Sequence, residues 1–137
     1  MAVAQWAAGM TASVVLDTSA ILAVARGERG GDIVVEHIFH SLTWAVNLTE
    51  VVSRLLDFGA PSDEIGPRLS RLTAQIVPFD KDLALQAGLL RDSTRHKGLS
   101  LGDRACLALA MREKRPVLTA DTAWSDLDLP VEVVLIR

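Results

Sequence analysis

Four acidic residues of this chain each stand just after an apolar run, where a strand ends or a helix begins: Asp17, Glu50, Asp103 and Asp121. In a sheet with helical crossovers, strand C-termini and helix N-termini gather along one edge, so the four side chains are predicted to share a pocket there. Carboxylates crowded together raise one another's pKa unless a cation neutralises them. Because every predicted ligand atom is an oxygen, the expected cation is a hard divalent ion, Mg²⁺ or Mn²⁺.

Each of these acids also has a purely structural interpretation. Glu50 and Asp103 lie three residues after a residue that can cap a helix, which is the spacing of a capping box. Asp17 is placed to cap the helix that follows it, and Asp121 to form an Asx turn. These interpretations are compatible with metal binding, because a capping carboxylate keeps its second oxygen for a metal.

Composition limits the class of protein. The 137 residues are 50% hydrophobic and 23% charged, which is typical of one folded domain and excludes a disordered chain. With a net charge of −3 the chain has no overall attraction for nucleic acid, so phosphate binding requires a local basic patch or a bound metal. Cys106 is the only cysteine, which excludes an intrachain disulfide and a zinc cluster and fits a reducing cytoplasm. It is predicted to be a small buried side chain.

Strands and helices are predicted to alternate along the chain. Short strands are expected over residues 13–16, 43–46, 76–79, 116–119 and 132–136. Helices are expected over residues 20–26, 33–41, 48–58, 62 onwards, 81–95 and 101–113, with Asn47, Asp80 and Ser100 as caps and Thr18 or Ser19 capping the first. This alternation predicts a single three-layer α/β domain over residues 13–137, with a mainly parallel sheet of about five strands flanked by helices. Residues 1–12 are predicted to be an N-terminal extension, too short to span a membrane and without the basic residues of a signal peptide.

Three short motifs carry a resemblance to a known family. They are VVLDTSA at residues 14–20, LSLGD at residues 99–103 and LTAD at residues 118–121, with Glu50 at the head of a helix between the first two. In this order they resemble the PIN-domain ribonucleases, and most of all the small bacterial toxins of the VapC type. The resemblance covers nearly the whole chain, from about residue 13 to residue 137, and implies a PIN-like fold.

The resemblance also implies roles for individual residues. The metal-binding and catalytic acids would be Asp17, Glu50, Asp103 and Asp121. The side chains that help to position water or metal would be Thr18, Ser19 or Thr119. The family varies most at the fourth acid, for which Asp126 and Asp128 are the alternatives to Asp121. By the same resemblance the protein would be a cytoplasmic, Mg²⁺- or Mn²⁺-dependent endoribonuclease, the toxin of a toxin–antitoxin pair, which forms a homodimer and is inhibited by a cognate small antitoxin.

The chemistry of such a site follows from its ligands. Hydrolysis of a phosphodiester needs an activated water, neutralisation of the charge that builds on phosphorus, and support for the leaving oxygen. Two divalent ions about 4 Å apart provide all three without a histidine base. Contacts to the RNA backbone would fall to basic residues after the first helix and before Asp103: Arg26, Arg29, Arg91, Arg95, His96 and Lys97. Three tryptophans are predicted to be core or interface anchors: Trp6, Trp44 and Trp124.

Two other functions fit an α/β domain with acids at strand ends. A receiver-like phosphoacceptor domain also has a Thr and a Lys near one Asp, but this chain has no adjacent acidic pair before its first helix, and Lys114 precedes the fourth strand. A non-catalytic binding module would use the acids only as helix caps. A metal titration distinguishes these alternatives, because a receiver binds one Mg²⁺ and accepts phosphate, whereas a protein with caps alone binds no metal.

Overall fold

Five short strands form one parallel sheet at the centre of the computed structural model, which describes residues 13–137. They are β1 (Val14–Leu16), β2 (Ser41–Trp44), β3 (Gln75–Val77), β4 (Val117–Thr119) and β5 (Val133–Leu135). Their order across the sheet is β3-β2-β1-β4-β5, and every neighbouring pair is parallel. Strands β1 and β4 are wholly buried, as expected for a sheet that is covered on both faces. The predicted extension over residues 1–12, which includes Trp6, lies outside the described residues.

Six α-helices cover both faces of the sheet in the described range. They are α1 (Thr18–Ala25), α2 (Gly31–His37), α3 (Ala45–Asp57), α4 (Ser62–Leu69), α5 (Lys81–Thr94) and α6 (Leu101–Glu113), with short 3₁₀ turns at Ile38–His40, Arg95–Lys97 and Thr122–Asp126. Helices α1 to α4 pack on the face that carries Val14 and Leu16 of β1, and α5 and α6 pack on the face that carries Val15. Successive residues of a strand point to opposite faces, so this short apolar run supplies both layers of the core. The predicted three-layer α/β architecture is confirmed.

The strand order reverses at β1, which creates a crevice at the carboxyl ends of β1 and β4. From β1 the chain passes to β2 and β3 on one side, and then crosses to β4 and β5 on the other. Leu16 is in register with Leu118, and the N–H of Asp17 donates to the carbonyl of Leu118 at 3.1 Å. The loops that leave β1 and β4 therefore start side by side, at the position where open α/β sheets bind their ligands.

The second strand and the third helix begin earlier than predicted. Strand β2 ends at Trp44 instead of residue 46, and α3 begins at Ala45 instead of Leu48. A short apolar run such as residues 44–46 fits a strand or a helix equally well. The boundary between β2 and α3 is set by packing, because Trp44 is fully buried with its ring centre 5.2 Å from that of Phe79. The prediction that Asn47 caps α3 is therefore wrong, since Asn47 lies inside the first turn of the helix.

Some of the other predicted helix caps are confirmed and others are wrong. The Asp80 side chain accepts a backbone N–H of the first turn of α5 at 3.0 Å, and Ser100 caps α6. Thr18 and Ser19 are the first two residues of α1 and do not cap it. Asp17 occupies the cap position of α1, but its side chain makes no capping hydrogen bond. The carboxylate of Asp17 is thus available for other contacts.

Several side chains that could have had a chemical or binding role lie in the core of the domain. Trp44 and Trp124 are fully buried, so both are core residues and the alternative that they anchor an interface is wrong. Cys106 is also fully buried, as predicted, and burial raises the pKa of its thiol well above the ordinary value. Between residues 13 and 137, no helix is both long enough and apolar enough to cross a membrane.

Candidate active site

Asp17 lies at the bottom of the crevice, directly after β1, with only 4% of its surface exposed. Two hydroxyl groups donate to the same carboxylate oxygen, Oδ2: Ser19 Oγ at 2.8 Å and Thr119 Oγ1 at 2.9 Å. Burial raises the pKa of Asp17, and these two hydrogen bonds act in the opposite direction because they stabilise the ionised carboxylate. The crevice therefore holds a buried carboxylate whose orientation is fixed by hydroxyl donors.

The two hydroxyls are themselves held by backbone N–H groups of the loop after β4. The N–H of Ala120 donates to Ser19 Oγ at 2.9 Å, and the N–H of Asp121 donates to Thr119 Oγ1 at 3.0 Å. Each hydroxyl oxygen thus accepts from the backbone and is left to donate towards Asp17. The contact between the chain segments after β1 and at the end of β4 places Ser19 and Thr119 next to Asp17.

Glu50 and Asp103 approach Asp17 from two further helices. Burial raises the pKa of Glu50, followed by the charges of Asp103 and Asp17, while Arg54 acts weakly in the opposite direction. The charge of Asp103 also contributes to the raised pKa of Asp17. The charges of all three acids also contribute to the raised pKa of the buried Cys106 thiol, after its burial, so all three lie near this part of α6. We call Asp17, Glu50 and Asp103 the acid cluster.

A glycine allows Glu50 to reach this position. The Glu50 carboxylate packs directly on Gly102 in the first turn of α6, where a Cβ atom would overlap Oε1 and the carboxyl carbon of Glu50. The motif LSLGD therefore combines two functions, since its glycine makes room for Glu50 and its aspartate, Asp103, supplies the neighbouring charge.

Asp103 also closes a capping box at the start of α6. The N–H of Ser100 donates to Asp103 Oδ2 at 2.9 Å, and the N–H of Asp103 donates to Ser100 Oγ at 3.1 Å. The capping interpretation of Asp103 is confirmed, and it holds the carboxylate in place beside the other acids. The capping box predicted for Glu50 is wrong, because α3 begins earlier and Asn47 does not cap it.

The fourth predicted acid is less closely associated with this group. Asp121 is exposed, and its Oδ1 accepts the N–H of Ala123 at 3.0 Å, which confirms the Asx-type turn. It connects to the acid cluster through its backbone N–H, by way of Thr119. Its alternative Asp126 is exposed and paired with Lys97 at 2.6 Å, which lowers the pKa of that carboxyl group. Asp121 thus lies at the rim of the crevice, and Asp126 belongs to a surface ion pair.

Asn47 is a site residue that the sequence analysis misassigned. It is fully buried, and its Nδ2 donates to Thr18 Oγ1 at 3.0 Å and to the carbonyl of Gly102 at 3.3 Å. This amide ties α1, α3 and α6 together directly below the acid cluster, and it explains why Thr18 faces Asn47 instead of Asp17. Its Oδ1 is buried without a hydrogen-bond partner in the described part of the chain. An asparagine within the apolar run that opens α3 was the available signal.

The donor set of the acid cluster fits a hard divalent cation. Across residues 13–137, no Lys, Arg or His nitrogen lies within 4.0 Å of these three carboxylates, so their charges have no direct ion-pair partner from the protein. Oxygen ligands without histidine or cysteine are the set that Mg²⁺ and Mn²⁺ prefer. In the same range, no three His, Cys, Asp or Glu side chains are already closed around a common centre. The fit therefore rests on the chemistry and charge of the donors.

Comparison with known proteins identifies the family. The PIN domain matches residues 14–129, and the chain belongs to the PIN-domain family. A comparison with curated proteins finds no match. The predicted family is confirmed, and the receiver-like alternative is therefore set aside. Nucleases of this family generally use divalent metal ions.

Solved structures that match this fold include proteins of bacterial toxin–antitoxin systems. The DNA-bound VapBC complex of Salmonella typhimurium matches with a TM-score of 0.73 and 14% identity, over 93% of this chain and 100% of that one. VapBC-5 of Mycobacterium tuberculosis matches with a TM-score of 0.59 and 26% identity, over 92% and 98%. VapC20 of Mycobacterium tuberculosis, a sarcin–ricin loop cleaving toxin, matches with a TM-score of 0.68 and 17% identity, over 87% and 98%.

Proposed function

We propose that this protein is a metal-dependent endoribonuclease and the toxin of a toxin–antitoxin pair. The observation that carries the proposal is the acid cluster, in which the charges of three carboxylates act on one another at the switch point of a PIN-domain sheet without a cationic partner among residues 13–137. Similar folds include a toxin that cleaves the sarcin–ricin loop, which supports RNA as the substrate. A module that used these acids only as caps would not require Asp17 to be buried beside two other acids.

In this function the acid cluster would hold Mg²⁺ or Mn²⁺, with Asp121 contributing from the rim. A divalent ion bound there supplies an activated water and neutralises the charge that develops on phosphorus. Ser19 and Thr119 keep Asp17 oriented and favour its ionised form. Asn47 and Gly102 hold α3 and α6 at the separation that brings Glu50 beside Asp103. We expect unpaired RNA to be cleaved in preference to duplex, since its backbone is accessible.

The direct test is cleavage of RNA by the purified protein with Mg²⁺, with Mn²⁺ and with EDTA, alongside Asp17→Asn. The substitution preserves the shape of the side chain and removes a charge needed for metal binding. We expect cleavage by the unmodified protein with either metal, no cleavage in EDTA, and a fall of several orders of magnitude in the variant with folding retained. Undiminished cleavage in EDTA would refute the proposal.

An apolar groove beside the acid cluster supports an antitoxin as partner. Its volume is about 110 Å³, and it runs between α1, α3 and the end of α4. The apolar side chains that line it are Ile21, Val24, Ala25, Ile38, Val51, Leu55, Leu69 and Leu72. Val51 directly follows Glu50, so an amphipathic antitoxin helix laid in the groove would be able to direct an arginine at the acids.

Assembly and cellular role follow from the same proposal. Leu85 and Leu89 are 62% and 65% exposed and lie one turn apart on α5, a surface suited to a homodimer contact. We expect the protein to act in the cytoplasm, to slow bacterial growth when expressed alone, and to be neutralised by co-expression of the neighbouring small gene. Sedimentation of the purified protein tests the dimer. If the protein cleaved RNA but did not slow growth, the toxin role would fail and a housekeeping nuclease would remain.

A further inference from the structure

A second charged feature lies on the other side of the loop that leads into α6. A cavity of about 210 Å³ opens between the end of α5 and the start of α6. It is lined by Arg91, Thr94, Arg95, Gly98, Leu99 and Arg104, and we call it the arginine cavity. Three arginines that line one small cavity repel one another, so the arrangement favours an anion.

No carboxylate of the described residues neutralises these arginines. Arg91, Arg95 and Arg104 have no Asp or Glu oxygen within 4.0 Å in residues 13–137. Five other basic side chains of the described residues form ion pairs with carboxylates, as Lys97 does with Asp126 at 2.6 Å. A cluster of cations in a chain of net charge −3 is thus a local exception.

Arg104 is the fixed member of the group. Its Nη1 donates to the carbonyl of Ala87 on α5 at 3.1 Å, which holds the guanidinium across the gap between the helices. Its Nε is buried and has no hydrogen-bond partner among the described residues.

The cavity and the acid cluster share one structural element. Gly98 and Leu99 line the cavity, the next residue, Ser100, caps α6, and Asp103 and Arg104 follow each other in the first turn. Gly98 has a φ of +63°, the left-handed conformation that turns the chain sharply from the 3₁₀ turn into this loop. Two successive helical residues point about 100° apart, so Asp103 and Arg104 serve neighbouring but separate sites.

We propose that the arginine cavity binds a backbone phosphate of the RNA, next to the bond that is cleaved. The inference rests on the proposed ribonuclease function and adds a substrate contact to it. Arginine pairs two phosphate oxygens at once, and three such groups hold one phosphate strongly. Phosphate contacts position a nucleic acid without reading its sequence, so the cavity contributes affinity for every RNA. Of the six basic residues that the sequence suggested as contacts to the RNA backbone, the cavity contains Arg91 and Arg95. It adds Arg104 to them.

The test compares two double variants with the same change of charge. Arg91→Gln/Arg95→Gln removes two cations from the cavity, and Lys114→Gln/Arg115→Gln removes two from the opposite end of α6. Binding of a twelve-nucleotide single-stranded RNA is measured in the Asp17→Asn background at several salt concentrations, and cleavage kinetics are measured with Asp17 intact. We expect the cavity variant to bind about tenfold more weakly at low salt and its salt dependence to fall by about 0.7 per lost phosphate contact. Its rate of cleavage at subsaturating RNA falls by a similar factor, and the control changes little.

The outcomes distinguish a failure of the phosphate contact from a failure of the proposed ribonuclease activity. If the cavity variant loses no more RNA affinity than the control, the inference is wrong even where cleavage confirms the ribonuclease function. If the unmodified protein cleaves no RNA but the cavity variant still loses RNA binding, the phosphate contact stands and the proposed activity fails. Titration with inorganic phosphate separates the two sources of the anion: phosphate binding that needs Arg91 and Arg95, with RNA affinity unaffected, would make this a free-anion site and overturn the inference.

Discussion

The acid cluster and the arginine cavity share the chain segment 98–104 and carry opposite charges. In the cluster, the charge of Asp103 helps to raise the pKa values of Asp17 and Glu50, and all three acids help to raise the pKa of Cys106. In the cavity, three arginines line a volume of about 210 Å³. Elsewhere in the described residues opposite charges form pairs, such as Arg68 with Glu64 at 2.9 Å.

The difference shows that charge separation, and not pairing, organises this edge of the sheet. Hydrogen bonds hold one member of each group in place, because Asp103 is held in its capping box and Arg104 on the carbonyl of Ala87. The free protein is left with like charges that a cation on one side and an anion on the other would neutralise. A phosphate backbone accompanied by divalent ions supplies both.

After Asp17→Asn, the largest effect is expected for Asp103→Asn. Asparagine keeps an oxygen that accepts from Ser100 N–H, so the cap of α6 survives while the charge is lost. We expect cleavage of RNA to fall by about two to three orders of magnitude, the scale for losing one electrostatic contributor to the transition state. The matched control is Asp80→Asn, which changes another aspartate that caps a helix, α5, and lies outside the site. Equal losses in the two variants would mean that capping alone explains Asp103.

The second effect is a dependence of the protein's stability on pH. The pKa values of Asp17 and Glu50 are raised on folding, so the folded protein binds more protons than the unfolded chain. Without metal, the free energy of unfolding should therefore fall as pH rises from the unfolded pKa values, near 4, through the raised folded values. Mg²⁺ at about 100 times its Kd should restore about 2.7 kcal/mol. Thermal unfolding at several pH values tests this.

Asp17→Asn provides the comparison for that experiment. Because the variant has no charge to bury at this position, its stability without metal should depend less on pH, and Mg²⁺ should stabilise it less. A pH dependence identical to that of the unmodified protein would show that Asp17 does not limit the stability of the metal-free state.

A smaller loss of RNA-cleaving activity is expected for Gly102→Ala. The new Cβ would occupy the space of the Glu50 carboxylate, and the flexible end of that side chain can move away. We expect activity to fall about 10- to 100-fold, the range for groups that orient a metal site, without a loss of stability. Gly88→Ala is the control, because nothing lies within 4 Å of its Cβ position on α5. It should raise stability by up to about 1 kcal/mol and leave activity unchanged.

The smallest effect separates the two candidates for the fourth acid. Asp121 is connected to the acid cluster through Thr119, whereas Asp126 is paired with Lys97 on the surface. Asp121→Asn should reduce cleavage about tenfold, at the lower end of the range for residues that support a metal site. Asp126→Asn should leave cleavage unchanged, since an exposed ion pair contributes little. The reverse order in kinetic assays would assign the fourth acid to Asp126.

The sequence by itself determined the architecture and the identity of the candidate acids. Buried apolar runs that alternate with helical patterns lead to a parallel sheet, and the resulting edge must collect residues such as Asp17 and Asp103. The motif LSLGD was read correctly as a capping box, because capping depends on contacts within four residues. Local chemistry and periodicity were sufficient for these features.

Only the tertiary structure decided which of these residues act together. The burial of Trp44 against Phe79 moved the start of α3 and converted Asn47 from a predicted cap into a buried tie between three helices. The grouping of Arg104 with Arg91 likewise depends on how α5 packs on α6. Such contacts join positions far apart in the chain, and their geometry is set by the packing of large side chains, which a local pattern does not encode.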